Sequence, residues 1–216
     1  YLPLVGKINT YPVDREASKV GDVSGESLGN INGWVLSSDV GCAFMSIDGL
    51  SHAYEVTKND KVKELLDEMI EIYLSIDKLK LRVQTHCTLT SARGMMRMYS
   101  VTQDKKYLDG AKTIFDLYVN HGGMSYTYHN LNWWGRPDSW SEPCAIVDSV
   151  MLGSEIFKAT KDEMTRKVTA RIYHNAVKSM QRDNGGAGPD TLVCEGGVDY
   201  LGVSMFEAEF CCSMRL

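Results

Sequence analysis

The chain has 216 residues, 44% hydrophobic and 24% charged, a composition that excludes wholesale disorder and fits one folded domain or a piece of a larger one. Lys plus Arg number 23 against 28 Asp plus Glu, giving a net charge of −5 with no basic block, so no nucleic acid is expected as a partner. No apolar run approaches the roughly 18–20 residues of a membrane helix, so no membrane partner is expected either.

Residues 1–40 read as an N-terminal extension, and β-type patterning is confined to the ends and loops. The chain opens on Tyr1 without a basic stretch and apolar core, so no signal peptide is visible. The six cysteines are Cys42, Cys87, Cys144, Cys194, Cys211 and Cys212, too few for a disulfide scaffold at this length. Reduced thiols and a cytoplasmic location are the expectation, with a cleaved export signal as the alternative.

From residue 41 a repeat takes over. Tyr54 to Asp60, Tyr99 to Asp104 and Phe157 to Asp162 each run from an aromatic residue to Thr three positions on, then to Asp two or three further. Thr and Asp satisfy free backbone groups, so each stretch reads as a turn plus cap between two helices. The helices before the turns carry Ile47, Leu50 and Tyr54; Leu89, Ala92, Met96 and Tyr99; and Val147, Val150, Met151 and Phe157. Those after the turns carry Val62, Leu65, Leu66, Met69, Ile70 and Tyr73; Leu108, Ala111, Ile114, Phe115 and Tyr118; and Met164, Val168, Ile172 and Ala176. All sit at helical spacing. Three consecutive helix pairs predict an all-α fold, either an open solenoid or an (α/α) toroid of inner and outer helices. The toroid is preferred, because loops gathered at one rim build a pocket.

The repeat interval lengthens from 45 residues (Thr57 to Thr102) to 58 (Thr102 to Thr160), and the excess falls in the loop from Gly122 to Trp140. The loop carries His129, Trp133 and Trp134 beside Asn132, Arg136 and Asp138. Planar faces beside polar groups suit a small carbohydrate; aromatics buried in packing are the alternative. Ser141-Glu142-Pro143-Cys144 follows, a helix start that places Glu142 and Cys144 where free N–H groups favour anionic side chains. With the adjacent Cys211 and Cys212, these residues make up a four-ligand zinc set. Burial accounts for Cys42 and Cys87 at inner-helix starts, and the Gly-rich stretch at 184–190 lacks the context of a phosphate loop.

Glu142-Pro143-Cys144, the stretch Ala170 to Val177 and the Cys211-Cys212 pair resemble glycoside hydrolase family 127, as does Thr85-His86-Cys87 through Asp104. The similarity covers roughly residues 40–212 of what reads as a single helical domain, 1–216. The resemblance implies part of an (α/α)6 barrel and a retaining β-L-arabinofuranosidase. It implies Zn2+ held by Glu142, Cys144, Cys211 and Cys212, with Cys211 as the nucleophile. The family's acid/base is a glutamate in the loop ahead of the Glu-x-Cys motif. No glutamate occurs between Gly122 and Ser141, and Asp138 is the substitute. His86 is expected near a sugar or as a satisfied core histidine, and His174 on a sugar hydroxyl or capping a packed helix.

Family members continue into β-sandwich domains, so the chain is expected to be a fragment or one member of a multi-chain assembly such as a homo-oligomer. Two other readings stand beside the glycosidase: a non-catalytic sugar-binding or scaffold module with a structural zinc, and a zinc-dependent, thiol-activating toroid of the lanthionine cyclase kind.

Overall fold

The computed structural model describes residues 2–13, 27–37, 39–137, 139 and 141–181. Among the described residues six long helices form three consecutive pairs: α1 (Ser46–Thr57) with α2 (Asp60–Ser75), α3 (Thr85–Thr102) with α4 (Lys105–Asn120), and α5 (Pro143–Thr160) with α6 (Glu163–Ile172). A π-helical turn, Tyr173–Val177, carries α6 into the short α7 (Lys178–Met180). α3 packs against both α1 and α5, which makes these three the inner layer, with α2, α4 and α6 outside. The fold is a segment of an (α/α) toroid.

One device makes all three reversals. Thr57, Thr102 and Thr160 each donate a hydroxyl hydrogen bond to the carbonyl four residues back. Each hydroxyl also accepts the N–H of the residue two positions on. The residue between, Lys58, Gln103 or Lys161, takes a left-handed backbone with φ of 52°, 60° and 59°. Asn59, Asp104 and Asp162 then cap the next helix through Lys61 N, Lys106 N and Thr165 N. Both strands of each connection are satisfied within a few residues, so the helices reverse without a long loop.

The outer helices follow their apolar period. α2 buries Val62, Leu65, Leu66, Met69, Ile70 and Tyr73, and α4 buries Ala111, Ile114, Phe115 and Tyr118. α5 departs from the expected face. It buries Cys144, Ala145, Ile146, Ser149, Leu152, Gly153 and Ile156, while Met151 is 39% exposed. On α6, Met164 is 64% exposed. Among the described residues α5 has an inner neighbour on one side only, so its Val147–Val150–Met151 stripe has less to pack against. Gly153 sets the buried side: a Cβ there would stand 2.1 Å from Thr169 Oγ1 and 3.0 Å from Phe115 Cζ.

The extension packs onto the first pair. A hairpin of β1 (Ser27–Ile31) and β2 (Trp34–Ser37) turns through Asn32-Gly33, both at positive φ, the backbone a two-residue hairpin loop demands. Trp34 meets Tyr11 edge-on at 5.5 Å, Tyr11 meets Phe44 at 5.3 Å, and Phe44 stacks on Tyr73 of α2 at 4.5 Å.

Candidate functional site at the inner-helix rim

Because each inner helix is followed by an outer one that returns, α1, α3 and α5 all begin at the same rim. α3 starts after Gln84 and α5 after Glu142, both with extended backbone. The long loop is bound across this rim. Trp134 N donates to Val83 O at 3.0 Å and Thr85 N to Asn132 O at 3.0 Å. The fully buried Asn130 joins two helix starts: its Nδ2 donates to Thr85 Oγ1 at 3.1 Å, while its Oδ1 accepts Ser141 Oγ at 3.0 Å and Glu142 N at 2.8 Å. Asn130 thereby takes up a backbone N–H at the entry to α5 that would otherwise be buried without an acceptor.

Glu142, Cys144 and His86 each bring a ligand atom within 4.8 Å of the other two. Cys144 and His86 are buried and Glu142 is half-buried. His86 comes from the first turn of α3, and its Nδ1 lies 3.1 Å from Oδ2 of Asp148, one turn into α5. Asp148 also accepts from Thr90 Oγ1 at 2.6 Å and from Arg93 Nη1 at 2.8 Å. Burial pushes the Asp148 carboxyl up, but the hydrogen bonds and charges of His86, Thr90 and Arg93 outweigh it and hold the group below the usual carboxylate range. An ionised Asp148 holds a proton on His86 Nδ1 and fixes the ring, the arrangement that orients histidines which bind metals through Nε2. Gln84 Nε2 reaches Glu142 Oε2 at 3.5 Å.

Nitrogen, oxygen and sulfur donors from two helix starts are a set that zinc accepts. Glu142 and Cys144, two of the four residues of the expected ligand set, lie in this group. His86, expected at the sugar, joins them. Asp148, Gln84 and Asn130 gave no signal in the sequence, since each depends on a partner far along the chain. Cys211, Cys212 and Asp138 lie outside the described residues.

The loop aromatics sit differently from the carbohydrate expectation. Trp133 and Trp134 are both 0% exposed, and Trp134 packs 6.4 Å from Tyr118, so these indoles fill the space under the loop instead of offering a face to a sugar. His129 is buried, with Nε2 3.0 Å from Ser179 Oγ and Nδ1 3.2 Å from Thr127 Oγ1; burial lowers its pKa. It ties the loop to α7. His174 is exposed in a separate groove beside Val150, Phe157 and Arg166.

No protein-family model and no curated protein matches this chain. Solved structures do match in fold. The glycoside hydrolase family 76 α-1,6-mannanase of Salegentibacter sp. HEL1_6, an inactive variant with two adjacent aspartates replaced and α-1,6-mannotriose bound, aligns with a TM-score of 0.59 at 16% identity, over 80% of this chain and 52% of that one. The family 76 α-mannanase of Bacteroides thetaiotaomicron gives 0.55 at 20% identity, over 74% and 53%. The cellobiose 2-epimerase of Bacillus thermoamylovorans gives 0.56 at 12% identity, over 88% and 60%. The chain spans about half the length of the mannanases it matches. No described helix is long and apolar enough to cross a membrane.

Proposed function

We propose that the chain carries the core of a carbohydrate-active enzyme, a retaining glycoside hydrolase of the zinc-thiolate kind that resembles the β-L-arabinofuranosidases. The observation that carries this reading is the meeting of Glu142, Cys144 and His86 at the rim where the inner helices begin. The likeness in fold to mannanases and a sugar epimerase supports a sugar substrate.

In this reading Glu142, Cys144, Cys211 and Cys212 would hold zinc, and Asp148 keeps His86 oriented beside Glu142 and Cys144. Bound zinc would keep the cysteine sulfurs deprotonated at neutral pH. The Cys211 thiolate attacks the anomeric carbon and the glycosidic C–O bond breaks, with Asp138 giving its proton to the departing oxygen. Water then displaces sulfur from the same carbon and returns a proton to Asp138. Two inversions give net retention.

Aryl β-L-arabinofuranoside hydrolysis by the full chain is the test. Cys211→Ser should abolish it by about a thousandfold or more with the helical circular dichroism unchanged, and Asp138→Asn should slow it. Hydrolysis that survives Cys211→Ser, or purified protein free of zinc, overturns the assignment. Zinc that is retained in a protein that binds sugars without cleaving them would place the chain among structural-zinc binding modules.

The His86–Asp148 pair favours one further reading. A buried histidine held by a carboxylate is suited to moving a proton at a sugar carbon, as an isomerase or epimerase requires. Deuterium entering an aldose from solvent without metal, and lost in His86→Gln, would select it over hydrolysis.

A further inference from the structure

Next to this site lies a second group of donors that the proposed reaction does not use. Asp39 and Cys42 stand at the entry to α1, and Cys87 lies in the first turn of α3. Their ligand atoms fall within 4.8 Å of one another, with Asp39 and Cys87 buried and Cys42 half-buried. We propose that Asp39, Cys42 and Cys87 form a second metal site, for a zinc-like divalent cation, that staples the start of α1 to the start of α3.

The spacing is that of ligands on one tetrahedral ion. Zn–S bonds of about 2.3 Å place two sulfurs about 3.8 Å apart, and a sulfur and a carboxylate oxygen about 3.5 Å apart. Cys87 Sγ lies 3.9 Å from Cys42 Sγ and 3.5 Å from Asp39 Oδ2. The carboxylate is also held in place. Asp39 Oδ1 accepts Gly41 N at 2.8 Å and Gln84 N at 3.4 Å, which turns Oδ2 toward the sulfur. Gly41 lets the two elements approach: a Cβ there would stand 2.7 Å from Val83 Cγ1 and 3.1 Å from Cys87 Cβ. The fourth position falls to water, while Gln84 Oε1, 2.8 Å from Cys87 Sγ, accepts the thiol hydrogen that a cation would displace.

A disulfide is the competing use of two close thiols, and the spacing disfavours it. The sulfurs of Cys42 and Cys87 stand 3.9 Å apart, far beyond the about 2.05 Å of a disulfide bond and close to the separation of two sulfurs on one ion. A divalent cation would bind here by replacing thiol protons. It enters with two positive charges as two thiol protons leave, so the group keeps the net charge of one carboxylate. The site does not depend on the glycosidase reading, because none of its ligands belongs to the first set.

Zinc content and thiol mapping on the full chain decide it. One zinc equivalent should persist in Cys144→Ser and in Glu142→Gln and disappear in Cys42→Ser/Cys87→Ser. Cobalt added to metal-free Cys144→Ser should show thiolate-to-metal charge-transfer bands that Asp39→Asn weakens. In wild-type protein, zinc should slow alkylation of Cys42 and Cys87 by at least about 10-fold, read peptide by peptide, and this measurement decides the matter should the double variant not fold. A Cys42–Cys87 disulfide in protein purified without reductant, or alkylation rates indifferent to zinc, overturns the proposal. Loss of the first site's zinc alone leaves it standing.

Discussion

Lys78 is a basic residue enclosed in the protein, 3% exposed, with its Nζ donating to Tyr73 O at 2.6 Å and Ile76 O at 3.1 Å and lying 4.6 Å over the Tyr73 ring. It closes the C-terminal end of α2, where carbonyls lack helical partners. Burial lowers its pKa to about 8, against the favourable charge of Asp77. The folded state therefore binds this proton less tightly than the unfolded chain, and stability from this group rises as pH climbs from about 8 toward 10.5. Wild-type protein should gain on the order of 2–3 kcal/mol relative to Lys78→Met across that interval in urea unfolding. A difference that stays flat with pH would show the ammonium to be no harder to bury than to expose. Asp148 has the same sign in a more acidic window. Its carboxyl is held below the ordinary value, so its contribution is present above about pH 4 and fades as pH falls through the lower folded value. Asp148→Asn removes one partner of a buried charge cluster and should cost about 3 kcal/mol at pH 7, with a shallower loss of stability in acid than wild type.

At the scale of helices, two glycines separate backbone cost from close packing. Gly94 lies where α3 crosses α1, and a Cβ there would stand 2.8 Å from Asp48 N, Asp48 Cα and Ile47 C, all of which are rigid backbone. Gly94→Ala must push the helices apart and should cost about 1–3 kcal/mol. Gly49, on the exposed side of α1, has no atom within 4 Å of such a Cβ, so Gly49→Ala should stabilise by about 0.5–1 kcal/mol. Thermal melts of the two variants should move in opposite directions, and a shared direction would show that the crossing is not the constraint. These crossings also explain what could be read in advance. An outer helix has one wet face and one dry face, so α2 was legible from Val62 to Tyr73. The turns were legible too, because Thr and a capping side chain act within a few positions, although Asn59 and not Asp60 caps α2. An inner helix is dry on several sides, and small residues mark its contacts as well as large ones; hence the buried face of α5 runs through Gly153 and Ser149 and not through Val150 and Met151.

For the molecule as a whole, the limits of reading lay in distance along the chain. Glu142 and Cys144 could be suspected because they are neighbours at a helix start. That His86 would meet them, that Asp148 would orient His86, and that Cys42 and Cys87 would face Asp39 all depend on three helices starting at one rim. The contacts of the extension run into the core. Trp34 is 1% exposed, with Nε1 3.3 Å from Lys7 O and from Thr10 Oγ1. From its ring the contact passes through Tyr11 and Phe44 to Tyr73, whose hydroxyl lies 2.6 Å from Thr88 Oγ1 on α3. Phe44 O in turn accepts Ser91 Oγ at 2.8 Å, and Phe44 is two residues from Cys42. An aromatic run of this kind transmits the loss of one ring to the inner helices, because a buried cavity is only partly refilled by its neighbours. Trp34→Ala should therefore lower global stability by about 3–5 kcal/mol, in one unfolding transition seen alike by tryptophan fluorescence and helical circular dichroism. Were the extension a separable unit, Trp34→Ala would leave the helical transition unshifted.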